Sequence, residues 1–159
     1  MLNIEIVCVG KTGQDFITKG CEEYAKRSAP FFKLKITEIS ETRLLDDSHS
    51  GRKRVIEEES RRILKLLERT KGMLVVLCVE GKQLSSERVA QLLERTSLET
   101  GAIVFVIGGS LGLSDELKLR AHLRLSLSEL TLPHQLARLV LLEQLYRAGT
   151  INNNIKYHK

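Results

Sequence analysis

The strongest constraint on this chain is an alternation. Short apolar runs rich in β-branched residues are separated by stretches whose apolar positions recur at helical spacing. Leu2–Val9, residues 73–79 and Ala102–Ile107 are near-continuous apolar runs, the pattern of strands buried on both faces. In residues 31–39, Phe32, Leu34 and Ile36 alternate with lysines, which predicts a half-exposed strand near a sheet edge. Residues 125–127 form a fifth strand. Between the strands, residues 14–28, 52–70 and 86–96 read as helices. Ser114 reads as the N-cap of a short helix with Asp115 and Glu116 in its first turn. Pro133 opens a last helix that runs to Ala148 and stops at Gly149, leaving residues 151–159 as a polar tail. Strands alternating with helices predict an α/β sandwich around a largely parallel sheet. A chain of 159 residues with no repeat or linker fits a single domain.

Composition narrows the partners. A net charge of +5 leans mildly toward a polyanion. The basic residues of 52–70 are interleaved with Glu57, Glu58, Glu59 and Glu68, so that surface reads as a solvated, ion-paired face. Ile56, Ile63, Leu64 and Leu67 form the apolar one. Cys8, Cys21 and Cys78 lack C-x-x-C spacing, and buried free thiols in a reducing cytoplasm are the simple reading. No membrane-length apolar run and no signal-peptide pattern is present, so the expected location is cytoplasmic.

Two strand ends stand out. Ala102–Ile107 stops at Gly108-Gly109-Ser110-Leu111-Gly112, and the run 125–132 stops at Pro133-His134. Ligands of open α/β sheets bind at such ends, where backbone groups are free. Val9-Gly10-Lys11-Thr12 resembles the end of a phosphate-binding loop, but Glu5 stands where the motif needs its first glycine, so Lys11 reads as a solvated turn residue. The Gly108 loop lacks the G-x-G-x-x-G order of a dinucleotide fold. No His, Cys or carboxylate set has metal-site spacing. His134 and His158 are the candidate functional imidazoles. Arg138, Arg147, Lys156 and Lys159 gather toward the C-terminus, with Glu143 and Arg147 at the i,i+4 spacing of a helical ion pair. Apolar residues occupy more than one side of the last helix (Leu136, Leu139, Val140, Leu141, Leu142 and Leu145), which predicts deep burial or a second copy of the chain against it.

Taken together, four blocks resemble the ribosomal RNA large-subunit methyltransferase H family of SPOUT-class enzymes. They are residues 6–11, Leu77-Cys78-Val79-Glu80-Gly81-Lys82, residues 106–113, and residues 125–128 running into Leu130-Thr131-Leu132-Pro133-His134. Glu143-Gln144-Leu145-Tyr146-Arg147-Ala148 and the closing Tyr157-His158-Lys159 complete the match. The resemblance implies one SPOUT domain over residues 1–159, with a trefoil knot in about residues 73–159, an exception to the rule that chains do not thread loops. It implies S-adenosylmethionine as cofactor, held by Leu77, Gly108, Gly109, Leu127, Ser128, Glu129, Leu130, Thr131 and Leu132. It implies methylation of N3 of a pseudouridine in large-subunit rRNA of the assembled ribosome. His158, Tyr157, His134 and Arg147 are then the residues expected to handle the proton or hold the base, in a homodimer whose tails complete each other's sites, with no metal and no membrane. This sequence departs from the family pattern at Cys78, where relatives often carry an acid, and at Asn154 and Lys156. Asn154 suits a left-handed turn better than most residues. Two other classes share the fold-level features: a non-enzymatic RNA-binding or ribosome-associated factor, and an enzyme of another adenosine-containing ligand.

Overall fold

The computed structural model describes residues 1–159. Its elements are β1 (Leu2–Val9), α1 (Asp15–Ser28), β2 (Phe32–Ile39), α2 (His49–Leu67), β3 (Met73–Gln83), α3 (Ser86–Glu99), β4 (Ala102–Ile107), α4 (Asp115–Arg120), β5 (Leu123–Ser126) and α5 (His134–Asn152). All five strands pair in parallel in the order β2-β1-β4-β3-β5. β2 is an edge strand, as its lysine alternation predicts.

The period-2 geometry of a strand sorts the core into two layers. Ile4, Ile6 and Cys8 of β1 and Ile103, Phe105 and Ile107 of β4 pack on one face with Cys21 of α1, Leu93 of α3 and Leu145 of α5. Val7, Val9, Val104 and Val106 pack on the other with Ile63 of α2 and Leu117 of α4. Both central strands are therefore covered on both sides, which is why they carry almost no polar residue.

Three helices start on serine caps. Ser48, Ser85 and Ser114 accept N–H bonds from Gly51, Arg88 and Leu117 at 3.0, 3.3 and 3.2 Å. The Ser48 cap starts α2 at His49, inside a stretch that polarity alone marks as loop. Gly149 does not stop α5. A Cβ there would lie 2.5 Å from Cδ2 of Phe31, so this glycine provides a close packing contact and the helix continues to Asn152. The chain turns instead at Asn154, whose φ is 55°, with Ile155 N–H closing on the Thr150 carbonyl at 2.9 Å. α5 packs against α1 and α3, and none of its residues is fully exposed. No helix is long and apolar enough to cross a membrane.

Candidate active site

A cleft of about 740 Å³ opens at the C-terminal ends of β3, β4 and β5. Its shape follows from an irregularity in β3. Leu125 is the register partner of both Leu77 and Lys82, so residues 78–81 bulge out of the ladder. Leu77, Cys78, Val79 and Glu80 thereby become cleft wall. Gly81 permits the return: a Cβ there would lie 2.7 Å from the Leu125 carbonyl carbon and 2.8 Å from the Arg124 carbonyl oxygen. The sequence pattern ends this strand at residue 79; the structure carries it to Gln83, because the second half pairs through close backbone approach rather than apolar side chains.

The opposite wall is the turn after β4. Gly109 and Gly112 form an isolated antiparallel bridge, with Gly112 at φ 89°. A Cβ on Gly108 would lie 2.8 Å from Cγ of Leu113. The third wall is the segment after β5. Ser126 Oγ donates to the Ser128 carbonyl at 2.9 Å, and Ser128 Oγ accepts the Leu130 N–H at 3.0 Å, so two serines hold this loop in shape. Of the nine residues assigned by resemblance to ligand contact, Leu77, Gly108, Gly109, Leu127, Ser128, Leu130, Thr131 and Leu132 line the cleft. Glu129 is exposed and outside the lining.

Charges are few at this cleft. Lys118 and Glu80 pair at 2.6 Å on its wall, and the Lys118 ammonium holds the Glu80 carboxyl below the usual carboxylate range. Cys78 is only half-buried and faces the cleft, unlike the buried Cys8 and Cys21. Burial still raises its thiol pKa, with Glu80 adding to the effect. His134 also lines the cleft; its Nε2 is buried without a hydrogen bond, 3.6 Å from Oε1 of Glu41.

Two residues behave differently from the sequence pattern. Arg138 is 3% exposed and is no surface cation: it binds Glu38 at 2.7 Å and the Gly10 carbonyl at 2.8 Å, tying α5 to the ends of β1 and β2. Glu59 is also 3% exposed, not on the solvated face of α2. The buried stripe of that helix is Val55, Glu59, Ser60 and Ile63. Oε1 of Glu59 accepts the Thr42 N–H at 3.0 Å. Its Oε2 is buried without a partner, under the Gly109 backbone. The i,i+4 spacing Val55-Glu59-Ile63 was the available signal for this burial.

Arg147, Tyr157 and His158 form a second cluster that does not line the cleft. Arg147 is paired with Glu143 at 2.5 Å and stacks over the Tyr157 ring at 4.7 Å. Tyr157 donates to Glu143 at 3.1 Å, and burial, with hydrogen bonding to Tyr24 and Glu143, pushes its phenol pKa up. His158 Nδ1 lies 3.4 Å from Arg147, and Nε2 lies 2.7 Å from Glu87. The carboxyl of Glu87 falls to about 2, through its own backbone N–H, Ser85 and His158. Along a straight helix, His134 and Arg147 stand about 20 Å apart at 1.5 Å per residue. One chain therefore does not bring both groups of candidate residues to one point.

An open parallel sheet with its pocket beyond the strand ends, cradled by glycine turns, defines an α/β ligand-binding enzyme class. Residues 2–158 match the family model described as "Predicted SPOUT methyltransferase". Ribosomal RNA large subunit methyltransferase H from Streptococcus pneumoniae strain CGSP14 is 44% identical over 161 residues, covering 99% of this chain and 100% of that protein. The protein of that name from strain 70585 matches to the same extent. Among solved structures, a probable methylase family protein from Haemophilus influenzae Rd KW20 aligns with TM-score 0.56 at 16% identity, over 99% of this chain and 71% of that one. A Legionella pneumophila protein solved with bound SAM aligns with TM-score 0.52 at 14% identity, over 91% of this chain and 65% of that one. The chain belongs to the SPOUT methyltransferases, in the family of the ribosomal RNA large subunit methyltransferase H proteins.

Proposed function

We propose that this protein transfers a methyl group from S-adenosylmethionine to N3 of a pseudouridine in large-subunit rRNA, acting in the cytoplasm on the assembled ribosome. The observation that carries the reading is the cleft. Its volume falls in the range of small-molecule sites, its walls are leucines for an adenine ring, and its glycine turns let backbone groups approach closely. It contains no phosphate cradle, and a sulfonium cofactor needs none.

S-adenosylmethionine supplies an activated methyl. Leu77, Gly108, Gly109, Leu127, Ser128, Leu130, Thr131 and Leu132 would hold it, and the chain's further task is to position the acceptor nitrogen in line and remove its proton. His158 is the group assigned to that proton, with Tyr157 donating to a base carbonyl and Arg147 holding phosphate or base. His134 stands on the cleft itself and is the second imidazole in reach. Because Arg147 lies far along α5 from the cleft and His158, in the tail, is held beside Arg147 and Glu87, the reading requires a homodimer in which each tail completes the partner's site. Leu130 at 72% and Val79 at 50% exposure flank the cleft as apolar surface that such a partner covers. The trefoil threading of residues 73–159 belongs to this proposal, by membership of the family.

The test is transfer of labelled methyl to ribosomes, to isolated large subunits and to naked rRNA, followed by mass mapping of the modified nucleotide. Label at N3 of a pseudouridine is the expected result. Tight ribosome binding with no methyl transfer would favour a non-enzymatic factor that keeps the fold.

A further inference from the structure

We propose that Glu59 is a positioning residue of the cleft, its free carboxylate oxygen taking a backbone N–H of the Gly109–Ser110 segment when the methyl donor is bound. The inference rests on the reading that the cleft binds S-adenosylmethionine.

Three observations converge. First, an acid occupies the centre of an apolar helix stripe, between Val55 and Ile63, where an apolar residue would pack at lower cost. Second, only half of its carboxylate is used: Oε1 accepts the Thr42 N–H, while Oε2 is buried with nothing to bind, a rare condition for a buried oxygen. Third, that oxygen lies 2.8 Å from the position a Gly109 Cβ would occupy, so the loop runs directly over it. The Ser110 N–H donates to no protein acceptor, whereas Gly109 is engaged in its bridge to Gly112. A free acceptor thus sits beside one free donor, the Ser110 N–H, two bonds from the Gly109 Cα. Glycine at 108 and 109 leaves the peptide planes free to rotate between them.

The polarity of a trans peptide gives the arrangement its use. N–H and C=O point in opposite directions. When the Gly109–Ser110 peptide turns its N–H onto Glu59, the Gly109 carbonyl gives up the Gly112 N–H it accepts at 3.1 Å and turns into the cleft, where the amino donor of an adenine needs an acceptor. Glu59 would then act on the ligand through the loop, without touching it.

Burial fixes the direction of Glu59's pH response by opposing ionisation. The Thr42 N–H favours ionisation, Glu41 from the segment after β2 opposes it, and Arg62 on α2 itself favours it. His134, from α5, faces Glu41 in turn. Glu59 therefore ionises later than an ordinary glutamate in the free protein, and donation of a loop N–H favours the ionised form. Wild-type affinity should weaken as pH falls through its pKa.

The experiment is calorimetric titration of the full-length wild type and Glu59→Gln with S-adenosylhomocysteine across pH, with amide spectra of Gly109 and Ser110. A glutamine keeps the shape but presents one donor end, so either Thr42 or the loop meets a donor. Affinity is expected to fall about 10-fold, the size of one hydrogen bond to a charged acceptor, and the acid-limb pH dependence should disappear. In wild type, the Ser110 amide proton should move strongly downfield on binding. Equal affinity and equal pH profiles for the two proteins would overturn the proposal while leaving the cofactor reading intact. No binding by wild type would overturn that reading, and this inference with it. If the variant does not fold, the wild-type amide shifts decide, and an unmoved Ser110 proton refutes the contact.

Discussion

Gly81→Ala tests whether the cleft depends on the double pairing of Leu125. The added Cβ would meet three backbone atoms of β5 at 2.7, 2.8 and 2.8 Å, where ordinary contact begins at 3.4 Å. Backbone atoms cannot rotate aside, so β3 must retreat from β5 by roughly the deficit, about 0.6 Å, an overpacking strain of about 1–3 kcal/mol. The loss falls first on the pairing of Lys82 with Leu125 and Gln83 with Ser126. These are the contacts that return the 78–81 bulge to the sheet. In a protein of this length, 1–3 kcal/mol lowers Tm by roughly 2–12 °C. Leu77 and Leu125 both line the cleft, so the same displacement should weaken S-adenosylmethionine binding, by about 10-fold if it loses one good hydrogen bond or its packing equivalent. Thermal unfolding and calorimetric titration measure the two effects. Gly13→Ala is the matched control, since its Cβ would meet only the Gln135 amide at 4.0 Å. Unchanged Tm and affinity in Gly81→Ala would show that β3 tolerates the separation, and the account of how the cleft is built would fail.

His158→Ala should lower methyl transfer to ribosomes by about 10²–10⁴-fold, the usual weight of an acid–base group, with S-adenosylmethionine affinity unchanged. Wild-type turnover would remove His158 from the reaction. Equal mixing of His158→Ala chains with Gly108→Val chains should restore about a quarter of wild-type activity if tails serve the partner's cleft, because half the dimers carry one intact composite site; no recovery would place tail and cleft in the same chain. Glu59→Gln should gain stability relative to wild type as pH rises. Burial raises the Glu59 pKa above its unfolded value, so the stabilisation it gives is full below the unfolded value and is lost as pH climbs through the folded one. Parallel urea midpoints for the two proteins from pH 5 to 9 would contradict this. Cys78 should be the first thiol alkylated and should be protected by S-adenosylmethionine, whereas Cys8, buried with a pKa raised to about 11, should stay unmodified until unfolding. Equal labelling of the two cysteines would be incompatible with the cleft as described.

What the sequence made legible, and what it hid, divides along one physical line. Apolar periodicity reports burial by side chains, so β1, β4, the edge position of β2 and the two layers of the core follow from it directly. The strand-end rule then finds the cleft, and eight of the nine residues assigned to its ligand do line it. Features that depend on backbone contact are silent in such a pattern. The apolar run ends before Gly81 and Gly149 reads as a stop signal, yet each is a place where two pieces of backbone or ring press together, and in each case the element continues past it. Buried charge is silent for the opposite reason: Glu59 and Arg138 look like surface residues because their types usually are. Each buries with a backbone partner, Thr42 N–H for Glu59 and the Gly10 carbonyl for Arg138, the latter also pairing with the Glu38 carboxylate. Both lie at the ligand end of the sheet, where strand termini leave backbone groups without ladder partners. The places where pattern failed are thus the places where the fold departs from regular pairing, and that departure is also what opens a site.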